Sequence, residues 1–184
     1  MRYADYKLYD TANGPGVRLS LFTQGCPHHC PGCFNPETWD FNGGKEWTID
    51  IHNKFMKLID RPYIERVSLL GGECLVDENL QDIYNLVSII KEKFPDKKLW
   101  LYTGYTLDGI LNPVATDDFN PERDRILELR KNIVSLCDVI VDGKYVDELR
   151  DLTLRFRGSS NQNIWKKHSN GFINTTKVWI KKYE

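Results

Sequence analysis

The stretch VRLSLFTQGCPHHCPGC, residues 17–33, contains the pattern that decides the fold. Its first half alternates Val17, Leu19 and Leu21 with polar residues, and a period of two residues is typical of a β-strand. The strand is predicted to stop at Gly25, because glycine commonly marks a turn. It therefore leads directly into a loop that is crowded with cysteines.

Three of the five cysteines in the chain, Cys26, Cys30 and Cys33, belong to this loop. A disulfide framework is disfavoured, because the cysteine count is odd and 41% of the residues are hydrophobic, enough for a core that needs no bridges. A structural zinc site would need a fourth ligand, which His28, His29 or a distant residue could supply. An iron-sulfur cluster held by three thiolates would instead leave one iron free to bind a substrate. Spacing alone leaves both metal hypotheses open.

Three further apolar runs are predicted to be strands, at residues 64–70, 98–102 and 138–141. Segments with helical periodicity lie between the strands: one from Thr48 to the break at Pro62, one around residues 80–90, and a charged one around residues 126–133 after a loop at 112–121. Strands separated by roughly 35 to 45 residues that contain a helix predict parallel βαβ units. A complete barrel of this kind takes ~250 residues. We therefore expect an incomplete (β/α) barrel of parallel strands, formed by one domain over residues 1–184.

The predicted strands place four polar or glycine-rich segments at one edge. In parallel α/β folds the carboxyl ends of the strands share an edge of the sheet, and ligands bind there. The segments that follow the strands are the cysteine loop and residues 71–73, 103–105 and 142–145. We expect them to converge on one rim.

The charge balance gives no sign of a polyanionic partner. The chain has 25 basic and 26 acidic residues, with a formal net charge of −1, so it has no basic footprint for nucleic acid or an anionic membrane. The amino terminus lacks a signal-peptide pattern, and no run approaches the ~18 apolar residues of a membrane span. We expect a cytoplasmic protein that binds neither nucleic acid nor membrane.

Several motifs together carry a family resemblance. The spacing of Cys26, Cys30 and Cys33, with Gly-Gly-Glu at residues 71–73, resembles that of the radical S-adenosylmethionine enzymes. Five stretches narrow the match, in this order along the chain: NGPGVR (13–18), GCPHHCPGCFNPETW (25–39), YTGY (102–105), DVIVDGKY (138–145) and RGSSNQ (157–162). Together they resemble the activating proteins of anaerobic ribonucleoside-triphosphate reductases.

This resemblance implies a fold of the radical S-adenosylmethionine type and a specific chemistry. Cys26, Cys30 and Cys33 would hold a [4Fe-4S] cluster whose fourth iron binds S-adenosylmethionine. Reductive cleavage of that molecule would generate a glycyl radical on the large subunit of the reductase. A low-potential electron donor such as flavodoxin would supply the electron.

The resemblance also implies which residues hold S-adenosylmethionine. In the cysteine loop the expected residues are Gly32, Cys33 and Phe34, and in the rim segments they are Gly71, Gly72, Glu73 and Thr103. Asp142 is a weaker candidate. Glu73 is the expected partner of the ligand's ammonium group, because a carboxylate pairs with a cation. The chain departs from the common pattern in having Cys74 after the Gly-Gly-Glu motif, where proline is usual. We expect Cys74 and Cys137 to be buried.

Other interpretations stay open for some of these features. His28 and His29 are expected to be solvated loop residues rather than metal ligands. The RGSSNQ segment either docks the reductase or shapes the pocket. Within the same class, the chain could activate another glycyl-radical enzyme such as a formate lyase. A different class is a zinc-binding interaction module without catalysis.

Overall fold

A mixed β-sheet dominates the computed structural model, which describes residues 1–114 and 118–179. The described residues form eight strands. In chain order these are β1 (Arg2–Asp10), β2 (Arg18–Thr23), β3 (Lys45–Glu46), β4 (Arg66–Gly71), β5 (Lys98–Thr103), β6 (Val139–Asp142), β7 (Asn163–His168) and β8 (Gly171–Asn174).

Four α-helices accompany the strands in the described part of the chain. They are α1 (Ile49–Ile59), α2 (Asp77–Lys93), α3 (Leu107–Leu111) and α4 (Pro121–Leu136). The predicted N-cap of α1 is confirmed, because the Thr48 side chain accepts a hydrogen bond from the backbone N–H of Ile51. Residues 115–117, within the predicted loop at 112–121, lie outside the described residues. None of the described helices has both the length and the apolar character needed to cross a membrane.

The strands lie in the order β3-β1-β2-β4-β5-β6-β7-β8. The four strands in the centre, β2, β4, β5 and β6, pair in parallel. The flanking pairs are antiparallel, β1 with β2 and β3 on one side and β7 with β6 and β8 on the other. Parallel strands in an unclosed α/β sheet are therefore confirmed. The expectation of a barrel built of parallel strands needs correction, because antiparallel strands extend both sides of the parallel centre and make the sheet mixed.

The outer strands escaped prediction because their sequences do not alternate cleanly. The β1 strand pairs with β2 through two irregularities, between Tyr3 and Asp5 and between Lys7 and Asp10, which interrupt the two-residue period. In β7 and β8 most side chains are exposed, so burial imposes little pattern on their sequence. Edge strands of this kind cannot be separated from loops by periodicity.

The main hydrophobic core lies between one face of the sheet and the helices. Because side chains alternate along a strand, Leu19, Leu69 and Leu101 point to this face, where they pack in the same cluster as residues of all four helices, including Phe55 and Ile83. The opposite face carries a smaller cluster whose buried members all come from strands: Trp100, Val139, Val141 and Ile164. The helices thus cover one face and leave the other for a cavity.

A buried arginine organises the polar part of this second face. The Arg18 side chain is fully buried, and its guanidinium lies 4.9 Å from the centroid of the Trp100 ring. Its Nη1 atom donates to the carbonyl of Asn13 at 2.6 Å and to the hydroxyl of Ser68 at 2.8 Å. Burial lowers the pKa of Arg18 to about 10. These bonds hold the NGPG turn against the sheet, at the end remote from the cysteine loop.

Candidate functional site

The cysteine loop begins where β2 ends and is closed by the segment that follows it. The backbone N–H of Gly25 donates to the carbonyl of Thr38 at 2.8 Å, and the N–H of Cys26 donates to the carbonyl of Trp39 at 3.2 Å. Gly25 has φ +88°, and a Cβ atom there would lie 2.6 Å from Cδ1 of Phe41. Glycine is therefore required at the point where the chain leaves the strand.

The three cysteines of the loop are free thiols, and each is partly exposed. Burial raises the pKa of Cys26 to about 11 and also raises the pKa of Cys30. The backbone N–H groups of His28 and His29 act against burial and favour a lower pKa of Cys26. A raised pKa favours the protonated thiol, and either thiol would have to lose its proton to bind a metal.

A cavity of about 540 Å³ lies between the cysteine loop and the carboxyl ends of the parallel strands. The predicted site residues that line it are Cys26, Cys30, Cys33, Phe34, Gly71, Gly72, Glu73 and Thr103. Gly143, Lys144 and Tyr145 from the segment after β6 line it as well. The predicted convergence of the four strand-end segments on one rim is therefore confirmed. The cavity volume lies within the range of small-molecule sites.

Two predicted residues are not among the described residues that line the cavity. An added Cβ on Gly32 would lie 2.5 Å from Oδ1 of Asp147. Asp142 is 2% exposed, and its Oδ2 atom accepts a hydrogen bond from the backbone N–H of Leu107 at 2.7 Å. Asp142 thus caps the start of α3 in this structure.

The Glu73 carboxylate is the most heavily hydrogen-bonded group at the rim, and it is 1% exposed. Its Oε1 atom accepts from the hydroxyl of Thr103 at 2.8 Å and from the backbone N–H of Leu75 at 2.9 Å. Its Oε2 atom accepts from the backbone N–H of Gly104 at 2.8 Å and from Nε2 of His28 at 2.9 Å. The carboxylate therefore joins β4, β5 and the cysteine loop.

The expectation that His28 is a solvated loop residue is wrong. Its side chain is 8% exposed and points inward from the cysteine loop to Glu73. His29, by contrast, is exposed and stacks on the Trp39 ring, with ring centroids 4.8 Å apart. Two adjacent histidines in a loop have no periodic pattern, so only the fold distinguishes the inward residue from the outward one.

Phe34 forms the wall of the cavity on the other side of the cysteine loop. Its ring contacts Tyr145 edge to face, with centroids 5.3 Å apart, and the Arg150 guanidinium lies 5.8 Å from its centroid. A Cβ atom on Gly158 would lie 2.7 Å from the Phe34 ring and 2.9 Å from the Tyr145 ring. The glycine of the RGSSNQ segment thus makes room for both aromatic rings.

The RGSSNQ segment is braced mainly by its own hydrogen bonds. Gln162 Oε1 accepts from the backbone N–H groups of Gly158 at 2.8 Å and of Ser159 at 3.2 Å, and Gln162 Nε2 donates to the carbonyl of Gly143 at 2.9 Å. Asn161 Nδ2 donates to the carbonyl of Lys144 at 2.8 Å. These bonds fix the segment after β6, so of the two interpretations the structure favours shaping of the pocket.

Three residues that line the cavity were not predicted from the sequence as site residues: Lys7, Phe22 and Tyr102. The Lys7 ammonium lies 5.0 Å from the centroid of the Phe22 ring. The alternation in β2 and β5 already places Phe22 and Tyr102 on the face opposite the core. Lys7 could not be found, because β1 was not predicted.

The two remaining cysteines are buried, as predicted, and both are 0% exposed. The Cys74 sulfur lies 3.6 Å from the hydroxyl oxygen of Thr23, and burial raises the pKa of Cys74. Across the described residues, no group of three or more His, Cys, Asp or Glu side chains is positioned to hold one metal ion. Thiols are the usual protein ligands of iron-sulfur clusters, and the thiols that border the cavity are those of Cys26, Cys30 and Cys33.

Comparisons with known proteins agree with this donor set. Residues 12–165 match the family model described as a 4Fe-4S single cluster domain. The chain is 40% identical over 166 residues to an anaerobic ribonucleoside-triphosphate reductase-activating protein of Salmonella typhi, covering 89% of this chain and 97% of the relative. Proteins of the same name from Escherichia coli strain K12 and from Enterobacteria phage T4 are 39% and 37% identical, over 89% and 92% of this chain and 97% and 92% of their own lengths.

Proposed function

Because this chain belongs to the anaerobic ribonucleoside-triphosphate reductase-activating proteins and contains a 4Fe-4S domain, we propose that it activates the reductase by radical S-adenosylmethionine chemistry. In this proposal the chain works as one radical S-adenosylmethionine domain. It cleaves S-adenosylmethionine reductively and leaves a glycyl radical on the reductase. The observation that carries the proposal is a cavity with three free thiols on one side and the Gly-Gly-Glu strand end on the other.

Cys26, Cys30 and Cys33 are the proposed ligands of the cluster. Iron-sulfur clusters are commonly held by four thiolates, so three leave one iron for the amino and carboxylate groups of S-adenosylmethionine. The burial of Cys74 and Cys137, both 0% exposed, supports the assignment, because neither is available as a fourth ligand without rearrangement of the core.

The proposed site for the methionine end of the ligand is the Gly71-Gly72-Glu73 strand end. An added Cβ atom on Gly72 would lie 2.5 Å from the carbonyl oxygen of Gly25, so this strand end already packs closely on the start of the cysteine loop. Glycines there leave backbone groups accessible to a small ligand. Glu73 supplies negative charge at the rim, and Thr103, which donates to it, orients that carboxylate. We propose that Phe34 and Gly32 flank the ligand from the cysteine loop.

The proposed reaction takes up one electron and transfers one hydrogen atom. Cys26, Cys30 and Cys33 would hold the cluster, which would supply the electron for cleavage of the sulfonium C–S bond. The products are methionine and a 5′-deoxyadenosyl radical, which takes a hydrogen atom from a backbone glycine to give 5′-deoxyadenosine and a glycyl radical. The chain's own residues bind and orient the reactants and exclude water. The electron comes from a low-potential donor such as flavodoxin.

The partner in this proposal is the large subunit of the reductase, which docks over the mouth of the cavity. Phe34 and Leu152 line the cavity and yet are 59% and 74% exposed. A glycine of a large protein has to enter the cavity from the surface, and we propose that a segment of the reductase passes these exposed apolar side chains. Burial of exposed apolar groups of this size stabilises protein-protein contacts.

The test is radical formation under anaerobic conditions. The reconstituted protein is incubated with the reductase, a reductant and S-adenosylmethionine, and the reductase is examined for a glycyl radical by electron paramagnetic resonance. We expect a signal with the wild type and none with Cys30→Ser, which removes one cluster ligand. No signal from a protein with a verified cluster would overturn the proposal. A signal on a formate lyase but not on the reductase would support the alternative partner, and a colourless protein with one tightly bound zinc would support the interaction module.

A further inference from the structure

We propose, on the basis of the function proposed above, that His28 is a positioning residue that anchors the cysteine loop to the strand-end rim through Glu73. The anchor exists before any iron binds, and it holds the backbone around Cys26 in the arrangement that the cluster needs. In this role His28 touches neither S-adenosylmethionine nor iron.

The first support is the small pocket that Glu73, Gly104 and Tyr105 form around the imidazole ring, which we call the seat. His28 Nε2 donates to Glu73 Oε2 at 2.9 Å, and the ring meets Tyr105 edge to face, with centroids 4.9 Å apart at 73°. An added Cβ on Gly104 would lie 2.3 Å from Cδ2 of His28. The absence of a side chain at this position therefore leaves the space that the ring fills.

The second support is that the seat is fixed without help from His28. Glu73 accepts three other hydrogen bonds, from Thr103, Leu75 and Gly104. Tyr105 is held by Arg130, whose guanidinium lies 4.3 Å from the ring centroid and donates to the Tyr105 hydroxyl at 3.2 Å. Glu73 and Tyr105 are thus held by residues outside the cysteine loop. The hydrogen bond from His28 therefore restrains the loop and is not needed to hold Glu73 or Tyr105.

The third support is the position of His28 along the loop. The start of the loop is tied to Thr38 and Trp39, and its end packs on Tyr145 through Phe34. His28 holds the part between Cys26 and Cys30. It lies two positions from each of these cysteines. Because the surroundings of a cluster set its reduction potential, an anchor at His28 would tune that potential as well as position the loop.

The experiment compares His28→Ala with His29→Ala as its matched control, since His29 is the exposed neighbour that stacks on Trp39. Hydrogen exchange of the cluster-free proteins is measured over residues 26–33, and iron content and cluster reduction potential are measured after reconstitution. In His28→Ala we expect exchange to accelerate on the order of tenfold or more, which corresponds to the loss of one hydrogen bond to a charged group. Iron content should fall, and the reduction potential of the remaining cluster should differ from that of the wild type. His29→Ala should match the wild type in all three measurements.

Two further variants keep the inference testable if His28→Ala folds poorly. His28→Gln keeps an N–H donor and should recover part of the protection and of the potential. Gly104→Ala pushes the ring out of its seat and should reproduce the faster exchange of the loop. Unchanged loop exchange and potential in His28→Ala, or equal effects in His29→Ala, would overturn the inference. The exchange measurement needs neither S-adenosylmethionine nor the reductase, so a wild type that binds iron but forms no glycyl radical would count against the proposed function and not against the anchor.

Discussion

Gly158 and Phe34 meet at the mouth of the cavity, where a Cβ atom on Gly158 would lie 2.7 Å from Cε2 of Phe34. We therefore expect Gly158→Ala to displace the Phe34 ring and to weaken binding of S-adenosylmethionine. Inserting a methyl group at such a contact costs about 1–3 kcal/mol in folding stability. Ligand affinity is measured by anaerobic calorimetry on the reconstituted protein, and stability by thermal unfolding. Ser160→Ala, at an exposed position of the same segment, is the control and should change neither. Wild-type affinity in Gly158→Ala would show that Phe34 does not shape the ligand site.

Cys74→Ala should retain the cluster. The Cys74 thiol is fully buried, and its sulfur contacts the hydroxyl of Thr23 and the carbonyl of Leu70. Loss of the sulfur should cost about 1 kcal/mol of stability, as is common for single substitutions. Iron, sulfide and visible absorption after reconstitution are compared with those of wild type and of Cys30→Ser. Cluster loss in Cys74→Ala would mean that this thiol is a ligand.

Gly14→Ala should destabilise the protein through the buried arginine. Gly14 has φ +128°, and an added Cβ would lie 2.0 Å from Nη1 of Arg18. The matched control is Gly171→Ala, where φ is +117° and no atom lies within 4 Å of the added Cβ. The control experiences only backbone strain of about 1–3 kcal/mol, whereas Gly14→Ala adds overpacking of about 1–3 kcal/mol. Thermal unfolding of both variants gives the difference, and equal losses would argue against the steric contact with Arg18.

Leu152→Asp should separate the cleavage of S-adenosylmethionine from the activation of the reductase. Leu152 is 74% exposed at the cavity mouth, and Ile49, at the start of α1, is 70% exposed and serves as the control position. We expect Leu152→Asp to lower the yield of glycyl radical on the order of tenfold, the effect of losing one important interface residue. Cleavage in the absence of the reductase should fall much less than the radical yield, and Ile49→Asp should behave as wild type. Equal yields from the two variants would place the docking surface elsewhere.

The stability contributed by Asp10 should depend on pH. Burial alone raises the pKa of this carboxyl, but hydrogen bonds from Ser20, Asn13 and the backbone N–H of Ala12 outweigh burial and lower the pKa below its usual value. A lowered pKa in the folded state stabilises the protein above the unfolded-state pKa of about 4, and this contribution is lost as the pH falls through the folded-state value. The difference in free energy of unfolding between wild type and Asp10→Asn should be constant from about pH 7 to 5 and shrink below about pH 4. A difference that stays constant to low pH would contradict the assignment.

The parallel centre of the sheet and the rim could be predicted from the amino-acid sequence alone. β2, β4, β5 and β6 are buried strands with strong apolar patterns, and three of them are followed by helices with clear periodicity. The rule that parallel strands end at one edge then sufficed to bring the cysteine loop and the Gly-Gly-Glu segment together. Such strands can be recognised in the sequence because burial on both faces restricts the residue type at every position of a central strand.

Which residues of the cysteine loop and of β1 take part in the site depends on how the sheet packs. His28 and His29 are identical in type and adjacent in sequence, yet one ring enters a space left by Gly104 and the other stacks on the surface. Lys7 lines the cavity because β1, an irregular antiparallel strand, pairs with β2. These outcomes depend on contacts between residues far apart in the chain, with Glu73 and His28 separated by 45 positions. No local period encodes such contacts, because they are set by the packing of the assembled sheet.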